Sequence, residues 1–485
     1  MAKPIHECSA TELAARMKSG ALSPTTVTDT FLRRIDEQNP ELNAFITVTA
    51  EQARKKAKQA EAQIETGEQT GPLHGVPVAI KDLLGYKEGV RHTFGMKPFA
   101  DHVAQTDSIL VERLESAGAI VLGKTNTPEL GYKSTTDNKL LGATANPFDR
   151  EKISGGSSGG SCAALAAGLT PIATGSDIGG SLRIPASACG VVGFYPSFAR
   201  IPHNHPTDAY LSEPPFLQPG PLARTVKDIA LMLDVLVGPD DRDPFALPRD
   251  ESSSQSALDH SVQNFTIGYS PDLDLFPVES VVDRTVSDAV MKLQTVGATV
   301  SETEIELTHS LTALGEAYMT QWQVYIAELA AVFEHPPYGV NLLDHSNELP
   351  EELLEMIEQG QQIGAVDYRL ANRVRTDFHR ALTKVFETYD VLVTPTLAVP
   401  PFEKTREYPE MVAEQSIHWD LAWVLTWPTN MTGHPSLSLP AGFTDAGLPI
   451  GLQVIGPRYA DDRVLAVGSA LEECNPWQDQ YPFHS

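Results

Sequence analysis

Apolar residues along this chain recur with two periods. Ser9 precedes TELAARMKSG and Ser23-Pro24 precedes TTVTDTFLRRIDEQ, each a capping residue before an amphipathic run, so the first 70 residues read as helices. Short β-type runs follow, VPVAIK (76–81), AIVLGK (119–124) and PIATGS (171–176), interleaved with the helical stretches SILVERLESAG and SCAALAAGL. Strand and helix in alternation predict an α/β fold, a sheet covered by helices on both faces.

Residues 238–262 are acidic, Ser-rich and Pro-containing, a solvated connection and the one place where a boundary could fall. Beyond them TIGYS, a helix from about 281 and TVSETEI resume the α/β pattern. From 310 to 388 the pattern is almost purely helical, interrupted by HPPYGVNLLDHSNELP. A helical insertion there, ahead of strand DVLVT (390–394), would serve as a lid or a pocket wall. SLSLP, PIGLQVIGP and a helix from about 460 read as the closing elements of the same sheet, and no internal repeat is present. The reading is one domain over 1–485, with 71–240 as its core and 310–388 inserted.

Composition narrows the function. With 485 residues, 41% hydrophobic, the chain can bury a large core without disulfides or metal. A formal charge of −27 opposes phosphate, so neither nucleic acid nor an anionic membrane is an expected partner. Cys8, Cys162, Cys189 and Cys474 form no CxxC pair and read as free thiols. The first twenty residues lack the apolar core of a signal peptide and no run of about 18 apolar residues occurs, so the expectation is a cytoplasmic protein.

The chemistry concentrates between Ile153 and Gly193, where GGSSGGS (155–161) is followed by DIGGS (177–181). Glycine crowding means backbone at positive φ or in close approach to a ligand. A phosphate loop would need GxxxxGK[ST] or a GxGxxG after a strand, and neither is present. A nucleophile elbow, GxSxG, would need an apolar strand just before it, and NPFDREKIS is polar. A flexible linker would not be followed by a second glycine–serine cluster. The remaining reading is a serine presented by DIGGS, with the N–H groups of Ile178, Gly179, Gly180 and Ser181 curled into an oxyanion hole.

Such a serine needs a base, and no histidine lies near either cluster. A lysine can serve if burial lowers its pKa toward about 7–8. Lys81 ends the apolar run VPVAIK, and Asp82 beside it would keep the ammonium charged unless the two side chains face opposite ways, as strand neighbours do.

GPLHGVPVAIKD (71–82), GKTNTPELG (123–131), GGSSGGS, GSDIGGSLRIPASACGVVG and PIGLQVIGP together resemble the amidase signature family over nearly the whole chain. The resemblance implies a central mixed, twisted sheet and a serine amidohydrolase without cofactor or metal. By it Lys81 is the base, Ser157 the bridging serine after a cis Gly156–Ser157 peptide, and Ser181 the nucleophile. It also implies that Ser158 bonds Lys81. The substrate would be a small-molecule carboxamide or carbamate, and self-association into a homo-oligomer stays open. The alternative is a glutamyl-tRNA amidotransferase A-type subunit working with partner proteins, against which stand the acidic charge and a segment 201–221 lacking an SLDxIGP-like stretch. A pseudoenzyme is disfavoured because Lys81, Ser157 and Ser181 are all present.

Plainer roles suit most of the remaining residues. Asp177 and Arg183 read as charges that tie down the nucleophile loop. His203 and His205 are two ligands without a third, more in keeping with a surface loop than a metal site. Cys189 reads as packing. Trp419, Trp423 and Trp427 would form a stripe if their segment were helical, usually core. Trp423 and Trp427, with Tyr132 and with Tyr195 (where the family more often has Lys), are candidate pocket residues favouring an aryl or long apolar acyl group.

Overall fold

The runs PVAIK, IVLGKT and IATGSD are buried at every position, as strands covered on both faces must be. The structure, a computed structural model, describes residues 3–211, 217–250 and 252–483. Its strands are β1 (Phe45–Val48), β2 (Pro77–Lys81), β3 (Ile120–Thr125), β4 (Ile172–Asp177), β5 (Val192–Tyr195), β6 (Gln218–Ala223), β7 (Thr266–Tyr269) and β8 (Thr299–Glu302). They continue with β9 (Val391–Pro395), the small hairpin β10 (Met411–Val412) and β11 (Gln415–Ser416), then β12 (Ser436–Phe443) and β13 (Pro449–Ile455). All but the hairpin join one 11-stranded mixed sheet in the order β1-β3-β2-β4-β6-β5-β12-β13-β9-β7-β8. Strands from both sides of 238–262 therefore lie in the same sheet; residue 251 of that segment lies outside the described residues.

The pairing is parallel where it matters for chemistry. β2 runs parallel to both β3 and β4, so the carboxyl ends of the three strands, at Lys81, Thr125 and Asp177, open on the same side of the sheet. That edge is where open α/β sheets bind ligands.

Two elements depart from the sequence reading, and a third forms where prolines speak against it. The first 70 residues are not all helical, since FITV forms β1 antiparallel to β3 between helices Pro24–Leu42 and Ala50–Glu65. Four residues are too few to show a period, and a distant partner decides their state. β6 carries Pro219 and Pro221, which argue against a strand, yet it pairs with β4 from Ile172↔Ala223 to Asp177↔Gln218. The tryptophan segment is mostly turn, helical only over Trp427–Asn430, so the four-residue spacing makes no stripe.

The 310–388 block holds helices Leu311–Phe333, Glu351–Gln362 and Ala365–Val385 between β8 and β9. The first is N-capped by the Ser310 side chain, which accepts from the Ala313 N–H. These helices share an apolar cluster with Phe94, Phe99, Leu217 and Trp427, separate from the larger cluster that fills the sheet. Among the described residues no helix is long and apolar enough to cross a membrane.

Candidate active site

Lys81 is the last residue of β2 and is 1% exposed. Its Nζ donates to Ser157 Oγ at 2.7 Å and to Ser176 Oγ at 3.0 Å. Burial lowers its pKa from the ordinary lysine value to about 7, against the upward pull of the Asp177 carboxylate. Asp82 faces away from this site. Its carboxylate accepts from the Thr93 N–H (2.8 Å) and hydroxyl (2.6 Å) and pairs with Lys124 Nζ at 3.0 Å. Burial works against that carboxylate, but Lys124, His92 and Thr93 outweigh it and hold Asp82 below its usual range. The charge that would have kept Lys81 protonated is thus neutralised elsewhere.

Ser157 stands at the entrance to helix Gly159–Ala166, and the Gly156–Ser157 peptide is cis. All eight residues of that helix are buried. Gly156 is a close approach, since a Cβ there would lie 2.5 Å from the Thr135 carbonyl oxygen. Ser158 does not bond Lys81. Its hydroxyl lies 3.4 Å from both the Ser176 N–H and carbonyl, held on the β4 backbone, and Ser176 gives Lys81 its second hydroxyl. Sequence reasoning misses Ser176 because the adjacency of β2 and β4 cannot be read from PIATGS alone.

The turn from Asp177 to Ser181 is pinned peptide by peptide. The Tyr318 hydroxyl donates to the Ile178 carbonyl (3.2 Å), Thr426 Oγ1 to that of Gly179 (2.7 Å) and the Ile184 N–H to that of Gly180 (2.6 Å). The Gly180 N–H is not available to an oxyanion, because it donates to Asp177 Oδ1 at 2.7 Å. Among the described residues, the N–H groups of Ile178, Gly179 and Ser181 meet no acceptor. Gly180 has φ +128, and a Cβ there would collide with Thr426 Oγ1. Gly180→Ala is expected to abolish turnover while circular dichroism still reports a folded chain. Tyr318→Phe, which removes a single carbonyl peg, is expected to lower kcat about tenfold with little change in KM, measured by steady-state kinetics.

Asp177 and Arg183 form a fully buried pair at 3.0 Å. Arg183 also donates to Thr429 Oγ1 (2.7 Å), Gln453 Oε1 (3.1 Å) and Asn430 Oδ1 (2.6 Å). Asp177→Asn, which leaves a buried guanidinium without its counter-charge, is expected to cost about 3–5 kcal/mol in denaturant unfolding.

Ser157, Ser176, Ile178 and Ser181 line one narrow cavity with Leu83, Leu84, Leu130 and Leu217. Helix Leu311–Phe333 supplies Trp322, Tyr325, Leu329 and Phe333. None of the four candidate pocket residues named from the sequence lines this cavity. Tyr195 is fully buried with its ring 4.8 Å beneath the Arg183 guanidinium. Trp423 is buried edge-on to Phe402, and Trp427 packs 5.4 Å from Tyr318, behind the Ser181 turn. Tyr132 is half-buried beside Lys133. The indoles are taken up by core packing, because their segment turns rather than running as a helix beside the cavity.

His205 does line the cavity, and burial lowers its pKa to about 4, so it is neutral there. Among the described residues no group of three His, Cys, Asp or Glu could hold a metal. Cys189 is buried, its thiol pushed upward by burial and pointed at the Ser154 carbonyl. Residues 212–216 of the 201–221 segment lie outside the described residues.

Comparison with known proteins shows the family of the chain. The chain matches the Amidase family over residues 26–465. It is 38% identical to an acylamidase of Rhodococcus erythropolis, covering 99% of this chain and 98% of that one. It is 36% identical to the A-type subunit of the glutamyl-tRNA(Gln) amidotransferase of Geobacillus kaustophilus, over 98% of both chains. The solved structure of a bacterial aryl acylamidase of the amidase signature family superposes with a TM-score of 0.94 at 32% identity, over 100% of both chains. The chain belongs to the amidase signature family and is an amide-hydrolysing enzyme.

Proposed function

We propose that the protein hydrolyses amides of apolar or aryl carboxylic acids through an acyl-enzyme on Ser181. The observation that carries this is a buried lysine titrating near neutrality, bonded to a serine at the wall of an apolar cavity that Ser181 also lines. Neutral Lys81 takes the Ser157 proton as Ser157 takes that of Ser181, and Ser181 Oγ bonds to the amide carbonyl carbon. The N–H groups of Ile178, Gly179 and Ser181 receive the oxyanion. On collapse the C–N bond breaks and the relay returns the proton to the departing nitrogen. Water then repeats the sequence on the ester and frees the acid. Ser176 holds the Lys81 amine between the two hydroxyls that it meets.

The cavity wall separates this reading from transamidation on charged tRNA. Glutamine as ammonia donor carries an ammonium and a carboxylate, and burying either without a partner is costly. Among the described residues the cavity presents no Asp, Glu, Lys or Arg side chain, and its histidine is neutral. The purified chain, alone, is expected to release aniline from anilides of apolar acids and to release no ammonia from glutamine. Ammonia from glutamine, or turnover confined to small polar amides, overturns the reading.

A further inference from the structure

The cavity has a direction. On helix Leu311–Phe333, Tyr318 marks the catalytic end, because its hydroxyl bonds the Ile178 carbonyl. Trp322, Tyr325, Leu329 and Phe333 then follow at helical spacing along the cavity wall, so the wall runs for about 16 Å of helix axis away from Ser181. A narrow cavity drawn out along such a wall is a slot, suited to a linear or flat group rather than a branched one.

The far end of that slot is stopped by rings packed tilted and edge-on. Phe333 and Phe94, which both line the cavity, lie 5.0 Å apart between centroids. Behind them Phe99 packs on Phe333 at 4.9 Å and Tyr338 at 5.0 Å. The two halves of the stop come from different parts of the fold. Phe333 and Tyr338 belong to the helical insertion, whereas Phe94 belongs to the loop after β2. On the β2 side the rings rest on a rigid base: Phe94 meets His92 at 4.3 Å, Tyr86 stacks on His92 at 4.5 Å, and His92 accepts from the buried Lys124 at 2.8 Å. Tyr338 also packs edge-on to Phe94 at 6.0 Å and to Phe99 at 5.9 Å, which ties the insertion to that base.

We infer that Phe333, backed by Phe94, sets the longest acyl group the enzyme accepts, so that the substrates are amides of linear or flat apolar acids up to a fixed length. This rests on the reading of the site proposed above. A stopped slot suits the acyl part rather than the amine. The amine must depart before water enters, and it needs an open side, while the acyl group stays until the second half-reaction. Close packing makes the stop a sharp one, since one methylene beyond a filled apolar pocket is worth roughly 10–200-fold in selectivity.

The test is a series of p-nitroanilides of straight-chain acids of rising length, read as the kcat/KM of each member relative to the shortest in the same protein. The native enzyme is expected to rise to an optimum and then fall. Phe333→Ala moves the optimum to longer chains and raises the long-to-short ratio about tenfold or more. Phe333→Leu, a smaller change to the packing, moves it in the same direction by less, and covers the case in which the alanine variant does not fold. An optimum unmoved in a folded variant overturns the inference. So does a shift seen only when the acyl group is held at acetyl and the amine part is lengthened. Native enzyme that releases no p-nitroaniline from any member overturns the proposed reading of apolar or aryl acyl groups, and this inference with it.

Discussion

Ser181→Ala is expected to lower kcat/KM toward an apolar anilide by about 10⁴-fold or more, with circular dichroism unchanged. The size follows from what the residue does in the proposed mechanism: without its oxygen no acyl-enzyme forms, and only binding and the oxyanion donors remain. The substitution should fold, because it removes one hydroxyl and leaves every peg on the turn in place: Tyr318, Thr426 and Ile184 hold the carbonyls and Asp177 holds the Gly180 N–H. Residues that act as a unit lose activity non-additively. The double variant Ser157→Ala with Ser181→Ala is therefore expected to be no worse than Ser181→Ala alone, whereas independent roles would multiply the two losses.

The second large effect lies at Lys81. Lys81→Met keeps the side chain as far as Cε and removes the amine from a buried site, and is expected to cost about 10²–10⁴-fold in kcat/KM, the range for a positioned acid–base group. The sign of the pH dependence follows from the lowered value. The base acts when neutral, and burial brings Lys81 to about 7, so native kcat/KM climbs through that pH and is level above it. Below it the rate falls about tenfold per pH unit, as expected for one essential deprotonation. In Lys81→Met this inflection should vanish together with the rate. An inflection near 7 that survives the substitution would assign it to another group; the half-buried Glu472, also raised by desolvation to about 7, is the control to substitute.

How much of this is legible in the sequence depends on the range of the interaction. GGSSGGS and DIGGS can be read because so much glycine beside serine has few uses, and the uses can be sorted by what precedes each cluster. The placement of Lys81 at a strand end follows from a buried apolar run, and the strand's two-residue period rightly warns that Asp82 faces elsewhere. What cannot be read depends on pairing between distant segments. Ser176 reaches Lys81 only because β4 lies beside β2. The Gly180 N–H passes for an oxyanion donor until the Asp177 side chain is seen to fold back on it. The tryptophans pass for pocket residues because their spacing is helical, but the segment is turn, and the cavity wall comes from Trp322, Tyr325, Leu329 and Phe333 on a helix whose sequence gives its period without naming its neighbour. Phe94 and Tyr86 lie in loop, where no period exists to mark a buried side chain.

The most direct test of the central claim is covalent labelling of the nucleophile. Native protein treated with a fluorophosphonate, digested and mapped by mass spectrometry, should carry one adduct, on Ser181, and Lys81→Met should acquire it far more slowly. An adduct on Ser157 or on another residue, or equal labelling rates in the two proteins, would contradict the assignment of Ser181 as nucleophile with Lys81 as its base.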